Sequence, residues 1–118
     1  MCLRTGLPTS GTVPIIFGTY NIHNGRNGGL EEALRGMSQA NMDLGILQET
    51  KLTDGIYTRR SAGYSVVATD APIQHRGGVA IFYHSEPHFA VEAVEKFGPN
   101  VIGFHIATGA RRWYIVGV

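Results

Sequence analysis

A chain of 118 residues, 43% hydrophobic and 16% charged, has room for one domain with one core, and this composition is globular rather than disordered. A formal net charge of +1 excludes nucleic-acid binding driven by the global field, so gripping a phosphate backbone requires a local basic patch. The one cysteine, Cys2, excludes an internal disulfide, and no stretch approaches the roughly 18 consecutive apolar residues of a membrane span.

Met1 to Pro14 is rich in Gly, Thr, Ser and Pro and holds no apolar block of the length a secretory signal needs. It reads as a flexible arm over 1–14 ahead of a domain over 15–118; no membrane partner is expected, and location is left open with an intracellular one favoured. Ile15-Ile16-Phe17-Gly18-Thr19-Tyr20-Asn21 is a β-rich run that ends in the polar, glycine-bearing loop Ile22 to Gly29. From Leu30 the apolar residues recur at Ala33, Leu34, Met37 and Met42, while Glu31, Glu32, Arg35 and Gln39 take the other side. That spacing predicts a helix with acids in its favourable first turn, weakened at Gly36 by about 1 kcal/mol relative to Ala and ending near Ala40-Asn41. The Gly28-Gly29 pair lacks the spacing of a nucleotide-binding fingerprint and is explained as flexibility at the helix entry.

Asp43 then leads into Leu44-Gly45-Ile46-Leu47-Gln48, an apolar run with the character of a short strand buried on both faces. It runs into Glu49, Thr50 and Lys51, which puts a carboxylate, a hydroxyl and an ammonium at the strand's carboxyl end. Strand, helix and strand at this spacing form a βαβ unit with parallel strands, so Asn21 and Glu49 belong to one edge of the sheet. Ligands of open α/β sheets bind at that edge. An amide oxygen and a carboxylate are hard donors suited to Mg²⁺ or Mn²⁺, with water and phosphate completing the shell. The plainer alternative is that both residues cap loops.

Beyond Leu52, strands are expected over Tyr64 to Ala68, Val79 to His84, Phe89 to Val94, Asn100 to Ala107 and Arg112 to Val118, with short turns at Gly98-Pro99 and Gly109-Ala110. The expected fold class is therefore α/β, a βαβ unit followed by a β-meander forming one mixed sheet. One helix covers one face of such a sheet, and the other face calls for a layer that the sequence does not visibly supply. Arg59, Arg60 and Arg76 lie in loops, and with Lys51 they are the candidates for phosphate or nucleic-acid contact; solvated loop charges are the alternative. His84 and His88, with Pro87 between them, read as surface histidines, and Trp113 as core or interface.

Three segments together, Phe17 to Gly25, Ile46 to Lys51 with its Gln-Glu-Thr-Lys element, and Arg76 to Phe82, resemble the endonuclease/exonuclease/phosphatase superfamily. The likeness is greatest to the endonuclease domain of non-LTR retrotransposon polyproteins and runs from about Ile15 to the last residue. It implies a four-layered α/β sandwich of two packed sheets that hydrolyses phosphate esters with Mg²⁺ or Mn²⁺. By matching motif, Glu49 is implied as the metal-binding carboxylate and Asn21 as the amide near that metal, both catalytic. Some relatives are acidic two residues beyond the Asn, where this chain has His23, a poorer Mg²⁺ ligand to which the resemblance gives no metal role. The family's Asp-x-Asn and terminal Asp-His elements belong to a second half that follows these motifs. The expectation is thus the N-terminal half of a metal-dependent DNA endonuclease-like domain, weak or inactive as an isolated chain, with nucleic acid as partner if activity is retained. The alternative is a non-catalytic module that self-associates, as a homodimer, through an uncovered sheet face and its last strand.

Overall fold

The computed structural model describes residues 2–7, 14–26, 28–52, 55–57, 63–70, 77–84, 89–109 and 111–118. The chain opens with β1 (Cys2–Leu7), which runs antiparallel to β2 (Ile15–Asn21) and sets Cys2 opposite Tyr20 and Leu7 opposite Ile15. The arm expected over 1–14 is therefore partly a strand. Edge pairing satisfies main-chain N–H and C=O groups whatever the side chains are, so a Gly- and Thr-bearing segment takes the place beside β2 without an apolar signature.

Helix α1 (Gly29–Gln39) follows, with Gly28 in the left-handed region at φ 87 as its N-cap and Leu30, Ala33, Leu34 and Met37 buried on one stripe. Asn41, at φ 56, turns the chain out of the helix. It enters β3 (Leu44–Gln48), which is parallel to β2 and pairs Phe17 with Leu44 and Asn21 with Gln48. Asp43 secures this entry: its Oδ2 accepts the Ile16 N–H at 2.6 Å. The predicted βαβ unit is present with both strands pointing the same way.

The remaining strands of the large sheet are β4 (Gly55–Tyr57), β5 (Tyr64–Ala68) and β6 (Val79–His84). Its order is β1-β2-β3-β6-β5-β4, mixed because β2 and β3 are parallel while the other described pairs are antiparallel. Residues alternate between two cores. Leu47, Tyr64, Val66, Ala80 and Phe82 face α1, while Ile15, Leu44, Ile46, Val67, Val79 and Ile81 face the other way.

That second face is covered by a separate three-stranded antiparallel sheet of β7 (Ala90–Lys96), β8 (Ile102–Ala107) and β9 (Arg112–Gly117). The expectation of one mixed sheet is corrected here. Strand β6 lies between β3 and β5 and has both edges paired, so the chain leaving it cannot extend the same sheet at that point. Instead Ile102, Phe104 and Ile106 pack onto Ile46, Val79 and Ile81, with half-buried Val91, Val94, Trp113 and Ile115 beside them. Among the described residues, the face of β2, β3, β5 and β6 turned away from α1 is thus covered by the small sheet. Among the described residues the layers are helix, sheet, sheet, an α/β architecture that agrees with part of the expected sandwich. His84 keeps 36% of its side chain exposed while its ring stacks on buried Tyr64 with centroids 4.6 Å apart, and His88 lies outside the described residues.

Candidate functional site

Parallel pairing brings the carboxyl ends of β2 and β3 side by side, and the polar residues collect there. Asn21 ends β2 opposite Gln48, and Glu49 follows β3 at once with a left-handed φ of 52. Lys51 is also left-handed at φ 54, and its N–H donates to the Gly77 carbonyl at 2.9 Å, while the Thr50 N–H donates to Gly78 at 3.2 Å. Two left-handed non-glycine residues so close together are costly locally and persist only where the surroundings hold them. Here the Gly77-Gly78 segment before β6 does so.

The loop after β2 folds over the same edge. Ile22 N–H donates to Gln48 O at 3.0 Å and Gly25 N–H to Thr50 O at 2.7 Å, so the loop is tied to the strand end residue by residue. Asn21 Oδ1 accepts the His23 N–H at 3.0 Å, a local turn that Asn side chains favour. His23, at φ 61, then directs its ring to Glu49, with Nδ1 3.1 Å from Oε2. The side chains remain open to solvent, His23 by 78% and Glu49 by 48%, so this contact adds little to stability. Arg26 reaches in from the same loop, its Nε donating to the Lys51 carbonyl at 2.8 Å.

Asn21, Gln48, Glu49, Gly77, Gly78, Asn100 and Val118 line one cleft of about 380 Å³, near the lower end of small-ligand sites. Asn100 comes from the turn between β7 and β8, and its Oδ1 accepts the Gly78 N–H at 3.0 Å. A larger groove of about 750 Å³ runs along α1 beside Tyr20 and Ile22, but its polar lining of Glu32, Arg35 and Gln39 lies on the exposed helix face. The convergence of a carboxylate, amides and an imidazole is at the strand edge.

Of the residues singled out from the sequence, Asn21 and Glu49 share the cleft, and Lys51 lies two residues beyond Glu49 in the turn that shapes it. Arg59, Arg60 and Arg76 lie outside the described residues. Sequence reasoning missed Asn100 and the backbone-bracing Arg26, and it gave His23 no part. An Asn after Gly-Pro carries no signal of its own, whereas His23, two residues beyond a strand-end Asn, was within reach of a local-turn argument.

As to fit for a divalent ion, no group of three or more His, Cys, Asp or Glu side chains comes together among the described residues, so an all-protein cage is not formed. What the edge offers is a carboxylate and an amide oxygen with an imidazole beside them, an open donor set. Mg²⁺-type ions accept such a set, since they keep several water or phosphate ligands. One residue further on, buried Thr50 has its hydroxyl without a hydrogen-bond partner.

The architecture is that of part of an AP endonuclease-like α/β fold. A similar solved structure is the AP endonuclease LMAP from Leishmania major, with a TM-score of 0.59 and 20% identity over 86% of this chain. The chain spans 39% of the length of that protein. The sequence matches no family model and no curated protein.

Proposed function

We propose that the edge formed by Asn21 and Glu49 is the ion-binding part of a phosphodiesterase site of the endonuclease type, acting on DNA. The observation that carries the reading is that a strand-end amide and a strand-end carboxylate line one open cleft at the carboxyl ends of two parallel strands. The likeness of the fold to an AP endonuclease supports the nuclease class. The Gln-Glu-Thr-Lys and Arg-Gly-Gly segments support the finer reading, an endonuclease domain like those of non-LTR retrotransposons.

Mg²⁺ or Mn²⁺, held by Glu49 and Asn21, would polarise the scissile phosphate and neutralise charge on the leaving oxygen. The chain's own residues do the remaining work. Asn21 orients His23 through its Oδ1, and the Gly77-Gly78 segment fixes the backbone on which Glu49 and Lys51 sit. Lys51, Arg59, Arg60 and Arg76 are proposed to meet the substrate backbone, where they set position rather than sequence preference.

The test is single-turnover nicking of supercoiled plasmid with Mg²⁺ or Mn²⁺ by the chain and by Glu49→Ala. Nicking lost in Glu49→Ala supports the reading, and equal nicking by both proteins sinks it. A second, non-catalytic reading rests on a separate observation. Phe97, Tyr114 and Val116 are about half exposed, and Val118 is 74% exposed, at the small sheet whose β9 has no second partner strand among the described residues. Two copies meeting there would cover that surface. Light scattering that gives a monomer at micromolar concentration rejects this second reading.

A further inference from the structure

We propose that His23 supplies an imidazole nitrogen to the divalent-ion site of Glu49 and Asn21, so that the site takes Mn²⁺ in preference to Mg²⁺. The inference rests on the site proposed above and adds the ion that it selects.

The first ground is how firmly the ring is placed. His23 at φ 61 and Glu49 at φ 52 both hold left-handed backbones, and their side chains meet at 3.1 Å. A left-handed backbone is unfavourable for a non-glycine residue, and a side-chain contact this exposed returns little stability. The arrangement is nonetheless braced on every side. Asn21 Oδ1 holds the His23 N–H, Ile22 and Gly25 are bonded to the strand end on either side of Glu49, and the Asn24 N–H donates to Ile22 O at 2.6 Å. Strain that is held by surrounding bonds and gains little in stability is characteristic of a functional site.

The second ground is the separation itself. Two neighbouring ligands of an octahedral ion at about 2.1 Å stand about 3 Å apart, since the edge is the bond length times the square root of two. The Nδ1 to Oε2 distance of 3.1 Å matches that edge. One geometry therefore serves two states. With its proton on Nδ1 the ring hydrogen-bonds to Glu49, and with its proton on Nε2 it presents the Nδ1 lone pair beside the carboxylate.

The third ground is donor chemistry. An all-oxygen set suits Mg²⁺ and Mn²⁺ alike, but an imidazole nitrogen favours the transition ion, which binds nitrogen more readily than Mg²⁺ does. The carboxylate and amide oxygens keep the site hard enough for Mn²⁺ and open to a phosphate oxygen.

The experiment is Mn²⁺ binding by the full chain followed by electron paramagnetic resonance, with pulsed measurement of nitrogen coupling to the bound ion and competition by Mg²⁺. Wild type, His23→Asn and Glu49→Ala are compared; Asn tolerates the left-handed backbone, so the loop is retained in the first variant. Bound Mn²⁺ in the wild type is expected to show coupling to one nitrogen, which changes character when the protein carries ¹⁵N-histidine. His23→Asn is expected to lose the coupling and to lower the Mn²⁺ over Mg²⁺ preference by roughly tenfold or more. Glu49→Ala is expected to lose the ion. Mn²⁺ bound through Glu49 without nitrogen coupling overturns the role of His23 and leaves the site standing. Absence of any Glu49-dependent binding of either ion overturns both.

Discussion

Replacing Tyr64 with Phe tests the packing of the core under α1 through a titration. The Tyr64 ring is fully buried, its hydroxyl donates to the Met42 carbonyl, and it sits edge-on to Phe82 with centroids 5.1 Å apart. Burial, and secondarily the charge of Asp43, pushes the phenol up to about 12 from its usual 10.0. Removing the hydroxyl leaves a buried carbonyl without its donor, a loss of about 1–3 kcal/mol at neutral pH. The sign of the pH dependence follows from which state keeps the proton. Above about pH 10 the unfolded chain loses it while the native chain retains it, so raising the pH favours unfolding of the wild type. The contribution is complete below about pH 10 and is lost as the pH rises through about 12; two pH units correspond to about 3 kcal/mol. Tyr64→Phe has no such group. Urea unfolding followed by far-ultraviolet circular dichroism should therefore give a variant that is less stable at neutral pH but whose deficit shrinks by about 2–3 kcal/mol between about pH 9 and 12. Parallel stability curves through that range would show that the Tyr64 phenol is not held protonated by the core.

Other outcomes follow from close approaches in the structure. A Cβ on Gly45 would lie within 2.8 Å of Phe82 and closer still to the Gly18 carbonyl. Gly45→Ala should accordingly cost about 3 kcal/mol or more, read as a lower urea midpoint with an unchanged slope. Gly25→Ala would press a methyl to 2.7 Å from the Thr50 carbonyl. It should weaken Mn²⁺ binding through loosening of the loop over Glu49, measured by calorimetry alongside thermal melting to separate binding from stability. Phe104→Ala, which empties the centre of the core between the two sheets, should cost about 3–5 kcal/mol in chemical denaturation. Tyr114→Lys with Val116→Glu should leave the melting temperature within a few degrees of wild type, because both side chains are half exposed. If the wild type proves dimeric by light scattering, the same double change should make it monomeric.

The segment from β2 through β3 was legible because each part carries its own period. Leu30, Ala33, Leu34 and Met37 recur at helical spacing, and Leu44, Ile46 and Leu47 make a run apolar on both faces. From parallel pairing alone, Asn21 and Glu49 belonged to one edge, and they do line one cleft. Strand β1 was not legible, since an edge strand held by main-chain bonds needs no side-chain pattern. Nor was the second sheet. The alternation Ile102, Phe104, Ile106 announces a strand with one buried face but not which sheet that face packs against. That depended on β6 entering between β3 and β5, a long-range choice. The contact of His23 with Glu49 was hidden for a similar reason. The turn at His23 could be argued locally, but the contact depends also on a left-handed Glu49 and on a loop bonded across to another strand end, which the sequence does not announce.

The central claim, that the Asn21 and Glu49 edge is an ion-dependent phosphodiesterase site, is tested most directly by locating the ion. Crystals of the chain grown with Mn²⁺ and a phosphorothioate dinucleotide, measured for anomalous scattering, place any bound manganese without reference to activity. One strong peak is expected within coordinating distance of a Glu49 carboxylate oxygen and Asn21 Oδ1, with a non-bridging phosphate oxygen completing its shell. A peak elsewhere, or none at this edge with manganese in excess, would contradict it.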